Sequence, residues 1–324
     1  MSTVLVTGVG AIIGYGVLRS LRASGAEHRL IGADIYPDAV GQAWCDGFEQ
    51  APLTSSSGYL DWLAGIVERH GVDLVVPGIE QDLHRLSDAR ESLQARHIRC
   101  VLNDKALVDL SKDKWHTFQA LEEANDRVRI PSLASGSYDE LADRLGVPFL
   151  LKPRRSYASK GIVRVTSAEV FAPHATDLGD KLIAQPIVGS DEGEYTVGIF
   201  GDGAGGIAAS ITLRRKLAPD GSTAKAWVAR DATLDADVAR LASRFHPLGP
   251  TNLQFRVHEG GWRLLEINPR ISSSTSLRAA FGYNESQMCV DYFIKRKLPD
   301  QPMISQGFAA RYIEDYVIHD RPHF

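Results

Sequence analysis

The sequence predicts an α/β unit passing into α+β structure, and three observations carry that prediction. Short apolar strands alternate with helical stretches over the first third of the 324 residues, which argues for a parallel, doubly wound sheet. After Asn103 the chain changes character, with a helix running into a second unit. Further on, two strands with polar–apolar alternation flank Glu259-Gly260-Gly261, an antiparallel hairpin signal.

In the first third, Thr3–Thr7 reads as a strand, followed by Gly8-Val9-Gly10-Ala11-Ile12-Ile13-Gly14 and a helix to about Ala23. A second strand, Leu30–Ala33, ends at Asp34. A helix over Tyr59–His70, apolar at Leu60, Leu63, Ile66 and Val67, precedes the strand Leu74–Pro77. The glycine turn and Asp34 imitate a dinucleotide fingerprint, so an NAD(P)-dependent dehydrogenase or epimerase is a rival reading. The plainer one is that the glycines let the strand–helix turn pack tightly. A short-chain dehydrogenase needs a Tyr and a Lys four apart, and Tyr157 and Lys160 are three apart. Glu80 and Asp82 follow the Leu74–Pro77 strand, at the end of the sheet where open α/β folds bind ligands; they are either substrate contacts or a solvated helix cap.

Composition bounds the function. With 44% hydrophobic and 23% charged residues, the chain is that of an ordinary globular protein of two or three small domains. A formal net charge of −4 offers no general footprint for nucleic acid. No run approaches the length of a membrane span, and the chain opens directly into a strand rather than a signal peptide. Cys45, Cys100 and Cys289 are widely spaced and odd in number, which argues against a disulfide framework or zinc knuckle and for a reducing cytoplasm.

In the middle of the chain, Leu107–Trp115 reads as one linker helix. Phe149–Pro153 is a nearly all-apolar strand from which Lys152 projects on the face of Leu150; such a lysine snorkels to water or meets an anion. The segment after it is small and basic, and Ser159, Lys160 and Gly161 can offer backbone N–H groups and a cation to phosphate oxygens. Leu182–Gly189 runs into a second strand that begins near Glu194. Arg214-Arg215-Lys216 and Gly221–Lys225 read as a charged strand end and its turn.

The hairpin carries the most chemistry. Leu253, Phe255 and Val257 form the core face of its first strand, and Asn252, Gln254 and Arg256 the polar one. In the second strand, Glu266 and Asn268 point one way and Leu265 and Ile267 the other, until Pro269 ends the ladder. For Gln254 to lie opposite Glu266 the loop must hold an odd number of residues. A three-residue Glu259-Gly260-Gly261 loop meets that condition and sets Asn252 opposite Asn268. Gln254, Glu266 and Asn268 then converge as oxygen donors with one formal charge, which suits Mg²⁺ carried in by nucleotide phosphates better than a dedicated Ca²⁺ cage.

The Asn-x-Gln-Phe strand, the Glu-x-Asn-Pro-Arg strand and the Ser-rich loop after it resemble the ATP-grasp superfamily, in particular the large chain of carbamoyl phosphate synthetase. The resemblance implies a Rossmann-like pre-ATP-grasp domain over residues 1–106. A linker and small lid subdomain follow over 107–186, then a C-terminal subdomain with the Mg–ATP site over 187–324. It implies that Gln254, Glu266 and Asn268 hold Mg²⁺, with Mn²⁺ as the alternative ion, against ATP, and that Arg270 touches the transferring phosphoryl group. Lys114, Lys152 and Lys160 would orient phosphates, Lys160 with Ser159 and Gly161 in a loop over the β- and γ-phosphates. Gln185, Pro186 and Ile187 would read adenine from a hinge, and Glu194 would take the ribose. Gln185 stands where many members have Glu, so recognition of the adenine amino group leans on carbonyl groups.

The acceptor would meet Glu80, Arg215, Lys225, Ser272, Ser273 and Arg278. The implied reaction forms an acyl phosphate and ADP from a small-molecule carboxylate, and an amine or ammonia then displaces phosphate. A single ATP-grasp unit and no glutaminase-like nucleophile argue against carbamoyl phosphate synthesis and for a biosynthetic amide or amino acid ligase, of a kind in which homodimers are common. A kinase that stops at the phosphorylated substrate and a non-catalytic nucleotide sensor are the alternatives.

Overall fold

The structure, a computed structural model, describes residues 1–155, 161–219 and 221–317, with Asp191 described by its backbone alone. The first third folds as β1 (Ser2–Thr7), α1 (Ile12–Arg22), β2 (His28–Asp34), β3 (Gly47–Gln50), α2 (Tyr59–His70), β4 (Leu74–Val76), α3 (Glu80–Asp88) and α4 (Arg90–Ala95). Its strands form a parallel sheet in the order β3-β2-β1-β4, the α/β arrangement that the alternating pattern predicts. Strand β3 is too short to show a period and escapes the sequence reading.

The glycine turn after β1 serves packing. Gly8 has φ +60°, and a Cβ there would stand 2.5 Å from Ile79 Cγ2, so the turns after β1 and β4 close on each other only with glycine. Asp34 is buried, and its two oxygens accept from the backbone N–H groups of Gly10 (2.7 Å) and Tyr36 (3.0 Å). Both oxygens of the carboxylate are thus engaged by backbone at the turn, in keeping with the packing reading of the glycines.

The middle of the chain comprises α5 (Lys105–Ser111), α6 (Lys114–Glu123), α7 (Tyr138–Leu145), β5 (Phe149–Pro153), β6 (Val163–Val165), α8 (Ala168–Phe171) and β7 (Leu182–Pro186). Its antiparallel sheet, β6-β5-β7, rests on a small core of Phe149, Leu151, Val165 and Phe171. The single helix expected over Leu107–Trp115 is instead two. Asp113 breaks it by capping α6, accepting from Trp115 N, and the same carboxylate takes Arg154 Nη2 at 2.8 Å. That pair ties α6 to the end of β5.

The last unit comprises β8 (Glu194–Asp202), β9 (Ile207–Leu217), β10 (Thr223–Ala229), α9 (Ala232–Phe245), β11 (Leu248–His258), β12 (Gly261–Asn268), α10 (Thr275–Ala280), α11 (Glu285–Lys295) and β13 (Phe308–Ala310). The sheet order is β12-β11-β8-β9-β10-β13. One face packs on Leu234, Val238 and Leu241 of α9. Phe200 and Ile211 belong to a second core, shared with Leu277, Phe293 and the α1 residues Val17 and Leu21. Asn103 joins the first unit to this sheet, its Nδ2 donating to Thr251 Oγ1 at 2.7 Å and its Oδ1 accepting from Leu248 N at 2.8 Å. Among the described residues no helix is long and apolar enough to cross a membrane.

The hairpin has the expected register by a different route. Gln254 lies opposite Glu266 and Asn252 opposite Asn268, but His258 pairs with Gly261, so the loop is the two residues Glu259 and Gly260. Both have positive φ, 50° and 72°, as a two-residue I′-type turn requires. A bulge between Gln254 and Phe255 on one side and Glu266 and Leu264 on the other restores the parity. Leu265 is the extra residue and does not join the core face assigned to it; Leu264 takes that place, 4% exposed. Val257, also expected in the core, is 39% exposed at the end of the strand.

Arg278 is a further correction. It does not meet a substrate but lies wholly buried beneath the sheet, with Nη1 donating to both oxygens of Glu285 at 3.2 Å. Its Nη2 donates to Asn252 Oδ1 (2.5 Å) and Thr196 Oγ1 (3.1 Å). A Cβ at position 198 would approach the guanidinium to 2.6 Å, so Gly198 makes the room for it. Removing one partner of a buried pair leaves the other charge uncompensated. Arg278→Met should therefore cost about 3–5 kcal/mol in urea unfolding, and Arg278→Met with Glu285→Leu together much less.

Candidate active site

A cavity of about 630 Å³ is lined by residues of all three units. Its wall includes Ile12, Glu80 and His84 from the carboxyl ends of the parallel sheet, Lys152 and Gln185 from the three-stranded sheet, and Gln254 and Glu266 from the hairpin. Among the described residues, seven basic side chains line it (Lys112, Lys114, Lys152, Arg155, Arg215, Arg256, Arg270) against three carboxylates (Glu80, Glu194, Glu266). The whole chain has a net charge of −4, so the basic excess is local to the cavity and calls for an anionic guest.

The hairpin register brings Gln254 and Glu266 side by side on the floor, with Asn268 two residues along on the same face. Each of the three side chains has an oxygen beside a cation. Arg215 Nη2 donates to Gln254 Oε1 at 2.8 Å, Lys114 Nζ stands 3.8 Å from Glu266 Oε1, and Arg270 Nη2 donates to Asn268 Oδ1 at 3.2 Å. Asn268 Nδ2 is buried without a partner, so protein groups do not close off that amide. Among the described residues no three of His, Cys, Asp and Glu gather as a metal cage. One carboxylate and two amide oxygens among cations would repel a bare divalent ion. They fit an ion escorted by a polyphosphate, whose oxygens complete its coordination while the Lys and Arg side chains meet the remaining charge.

Lys152 and Glu194 stand above this floor. Burial pushes the Lys152 ammonium down to about 8, with Glu266 opposing the shift and Lys114 reinforcing it. Glu194 is buried, with Oε1 on Arg215 Nη2 at 2.6 Å and Oε2 on Arg256 Nη2 at 2.8 Å. The residue expected to bind ribose thus also clasps two guanidiniums of the wall.

Away from the charges the wall is apolar, built from Phe118, Leu121, Ile130, Leu150, Ile187 and Val188. Gln185 Nε2 donates to Ser132 Oγ at 2.7 Å, and Ser132 in turn donates to Ile130 O at 2.9 Å. The serine has one proton and spends it on the carbonyl, which fixes Gln185 as the donor between them. The Gln185 carbonyl oxygen is left as an acceptor.

Towards the parallel sheet, Arg270 Nη2 lies 3.3 Å from Glu80 Oε2, joining two residues named from distant parts of the sequence. Ser272 and Ser273 line the same cavity; Ser272 Oγ accepts from Ser274 N at 3.0 Å. Asp82 does not reach the wall, being buried against Thr54 Oγ1 at 2.5 Å. Pro186, Gly161 and Lys225 are not on the wall either, and Lys225 is exposed on β10. Ser159 and Lys160 lie outside the described residues. The sequence reading missed Arg256, Lys112, His84, Ile12 and Ile13 as wall residues. Arg256 shares the parity of Gln254, and His84 stands one helical turn from Glu80, so both carried a signal.

The Lys152 shift has a measurable consequence. Below about pH 8 the side chain is charged and attracts phosphate; above it the ammonium is lost. Tripolyphosphate affinity, measured by calorimetry, should weaken in the wild type relative to Lys152→Met as pH rises from 7 to 9. At pH 7 the variant should bind about tenfold or more weakly, the worth of one charge-assisted hydrogen bond.

Residues 181–316 match the family model described as "ATP-grasp in the biosynthetic pathway with Ter operon". A D-alanine–D-alanine ligase of Ralstonia pickettii is 26% identical over 216 residues, 65% of this chain but only 56% of that enzyme's length. Among solved structures, N5-carboxyaminoimidazole synthetase from Staphylococcus aureus complexed with ADP superposes with a TM-score of 0.73 at 16% identity, over 94% of this chain and 80% of that one. A biotin carboxylase–βγ-ATP complex from Campylobacter jejuni gives 0.73 at 16% identity, over 95% and 74%. Beside these, the likeness to the carbamoyl phosphate synthetase large chain is loose. The match over the C-terminal part and the architecture shared along nearly the whole chain agree on the superfamily read from the hairpin motifs: the protein has the ATP-grasp fold.

Proposed function

We propose that the protein is an ATP- and Mg²⁺-dependent ligase that joins a small-molecule carboxylate to an amine or ammonia through an acyl phosphate, releasing ADP and phosphate. The observation that carries this reading is the floor of the cavity, where Gln254, Glu266 and Asn268 present oxygens among Lys114, Lys152, Arg215 and Arg270. A relative named as a ligase and a similar structure complexed with ADP support it.

In this reading residues 1–106 form the acceptor wall, 107–186 the lid and 187–324 the metal–nucleotide floor. The apolar wall and the Gln185 carbonyl take the adenine, and Glu194 takes the ribose while holding Arg215 and Arg256 in place. Lys114 and Lys152 hold phosphate oxygens, with Lys160 joining them. Gln254, Glu266 and Asn268 would hold the Mg²⁺, which when bound neutralises charge on the polyphosphate. Arg270, 3.3 Å from Glu80, stands between the phosphate side and the acceptor side and steadies the phosphoryl group as it passes to the carboxylate. No side-chain nucleophile is needed, because phosphoryl transfer is chiefly positioning and electrostatics.

The test is ADP and phosphate release from Mg–ATP across pooled carboxylates, each with and without ammonia and amino acids. Glu266→Ala serves as the blank and should lose turnover entirely. Release that needs both a carboxylate and an amine is the expected result. A stable phosphorylated carboxylate formed without any amine would replace the ligase by a kinase, and full activity in Glu266→Ala would overturn the site.

A further inference from the structure

The ligase reading leaves the attacking amine without a site, and the parallel sheet offers one. In the order β3-β2-β1-β4 the chain leaves β1 to one side for β2 and returns on the other as β4, so the crevice beyond the carboxyl ends of β1 and β4 is the switch point of the sheet. Ile12 and Ile13 follow β1 there, and Glu80 and His84 follow β4; all four line the cavity. This end is not made for phosphate. Gly10 N is already given to Asp34, and the first residues of α1 are two isoleucines.

Each of the three cavity carboxylates has a different setting. Both oxygens of Glu194 are held by guanidiniums, and Glu266 lies on the floor beside Gln254. Glu80 has two long contacts, Arg270 at 3.3 Å and His84 Nε2 at 3.9 Å, and it alone of the three belongs to the acceptor wall. A carboxylate so held can exchange a long contact for an ammonium group.

We propose that Glu80 and His84 form the amine site, Glu80 binding the incoming ammonium and His84 Nε2 accepting the proton that nitrogen loses as the C–N bond forms. The site fits a primary amine with a small apolar body, which would lie against Ile12 and Ile13. This rests on the ligase reading and completes it. The amine sheds one proton to water and its lone pair attacks the acyl carbon. The C–N bond forms and the C–O bond to phosphate breaks, phosphate leaving with the bonding pair. The surplus proton on nitrogen passes to His84 and then to solvent.

The charged groups around His84 agree with that role. Burial holds the imidazole below its usual range, Glu80 opposes this, Lys112 reinforces it, Asp88 opposes it and Arg270 reinforces it. The ring is therefore neutral and ready to accept at pH 7. Lys112 is no rival base, since its Nζ is held by Asp88 (3.2 Å) and Asp109 (3.0 Å).

Two nucleophiles separate amine handling from acyl phosphate formation. Hydroxylamine, unprotonated at neutral pH, traps an acyl phosphate as a hydroxamate without a base, whereas methylamine needs one. In full-length protein with Mg–ATP and the carboxylate pool, His84→Gln should lower the ratio of methylamide to hydroxamate about a hundredfold, the usual worth of a general base. The acid limb of the wild-type methylamine pH profile should vanish in the variant. Independently, the His84 ring signal of histidine-labelled protein holding Mg–ADP should shift with added methylammonium, and not in Glu80→Gln. An unchanged ratio, or a His84 signal indifferent to methylammonium, would overturn the assignment and leave the ligase reading standing. No hydroxamate from the wild type would remove both.

Discussion

Leu265 stands unpaired in β12, and the placement of every oxygen donor on the cavity floor follows from it. The two-residue turn sets His258 opposite Gly261; carried on without interruption, that pairing would set Gln254 opposite Leu265 and bring Glu266 opposite Leu253, on the α9 side. A carboxylate would then be buried among Leu234, Val238 and Leu241 at a cost no hydrogen bond there could offset. One extra residue shifts the strand by one position and reverses every face beyond it. Leu264 and Ile267 fill the core while Glu266 and Asn268 face the cavity. The core's demand for leucine and isoleucine thus positions the polar groups.

Above that floor the cations are held in place before any guest arrives. Glu194 binds Arg215 and Arg256 at once, and Arg215 reaches on to Gln254. Asp113 does the same work beside the three-stranded sheet, capping α6 and gripping Arg154 at the end of β5. Buried ion pairs of this kind add little net stability, because desolvation offsets attraction. Their contribution here is geometric. They fix guanidinium planes in a wall that would otherwise splay by mutual repulsion, so less ordering remains to be done on binding.

The sequence made legible whatever depends on local period or a compact motif. The parallel sheet followed from strand–helix alternation, and the face of Lys152 from the parity it shares with Leu150. The pairing of Gln254 with Glu266 followed from parity, although the turn and bulge that produce it did not. A bulge has no composition of its own, since Leu265 among leucines looks like any core residue. Arg278 misled for a related reason: proximity to the Ser-rich loop suggested the site, while its burial depends on Gly198 and Glu285, which no spacing connects to it. Arg256 and His84 were readable from parity and helical turn. The meeting of Glu80 with Arg270 was not, because it is made by the packing of separate units.

The joint made by Asn103 shapes how such a molecule can move. Its side chain bonds to Thr251 and Leu248, and α1 shares a core with α10 and α11, so the parallel sheet and the six-stranded sheet form one continuous packed body. Packed interiors deform little. The separation between the crevice at the ends of β1 and β4 and the Gln254–Glu266 floor is therefore a constant of the frame, like the gap of a calliper locked at one setting. The small sheet β6-β5-β7 stands outside that body, on a core of its own. In the proposed ligase, a change of acceptor would then need only new side chains at the starts of α1 and α3, with the span between the two substrates left as it was.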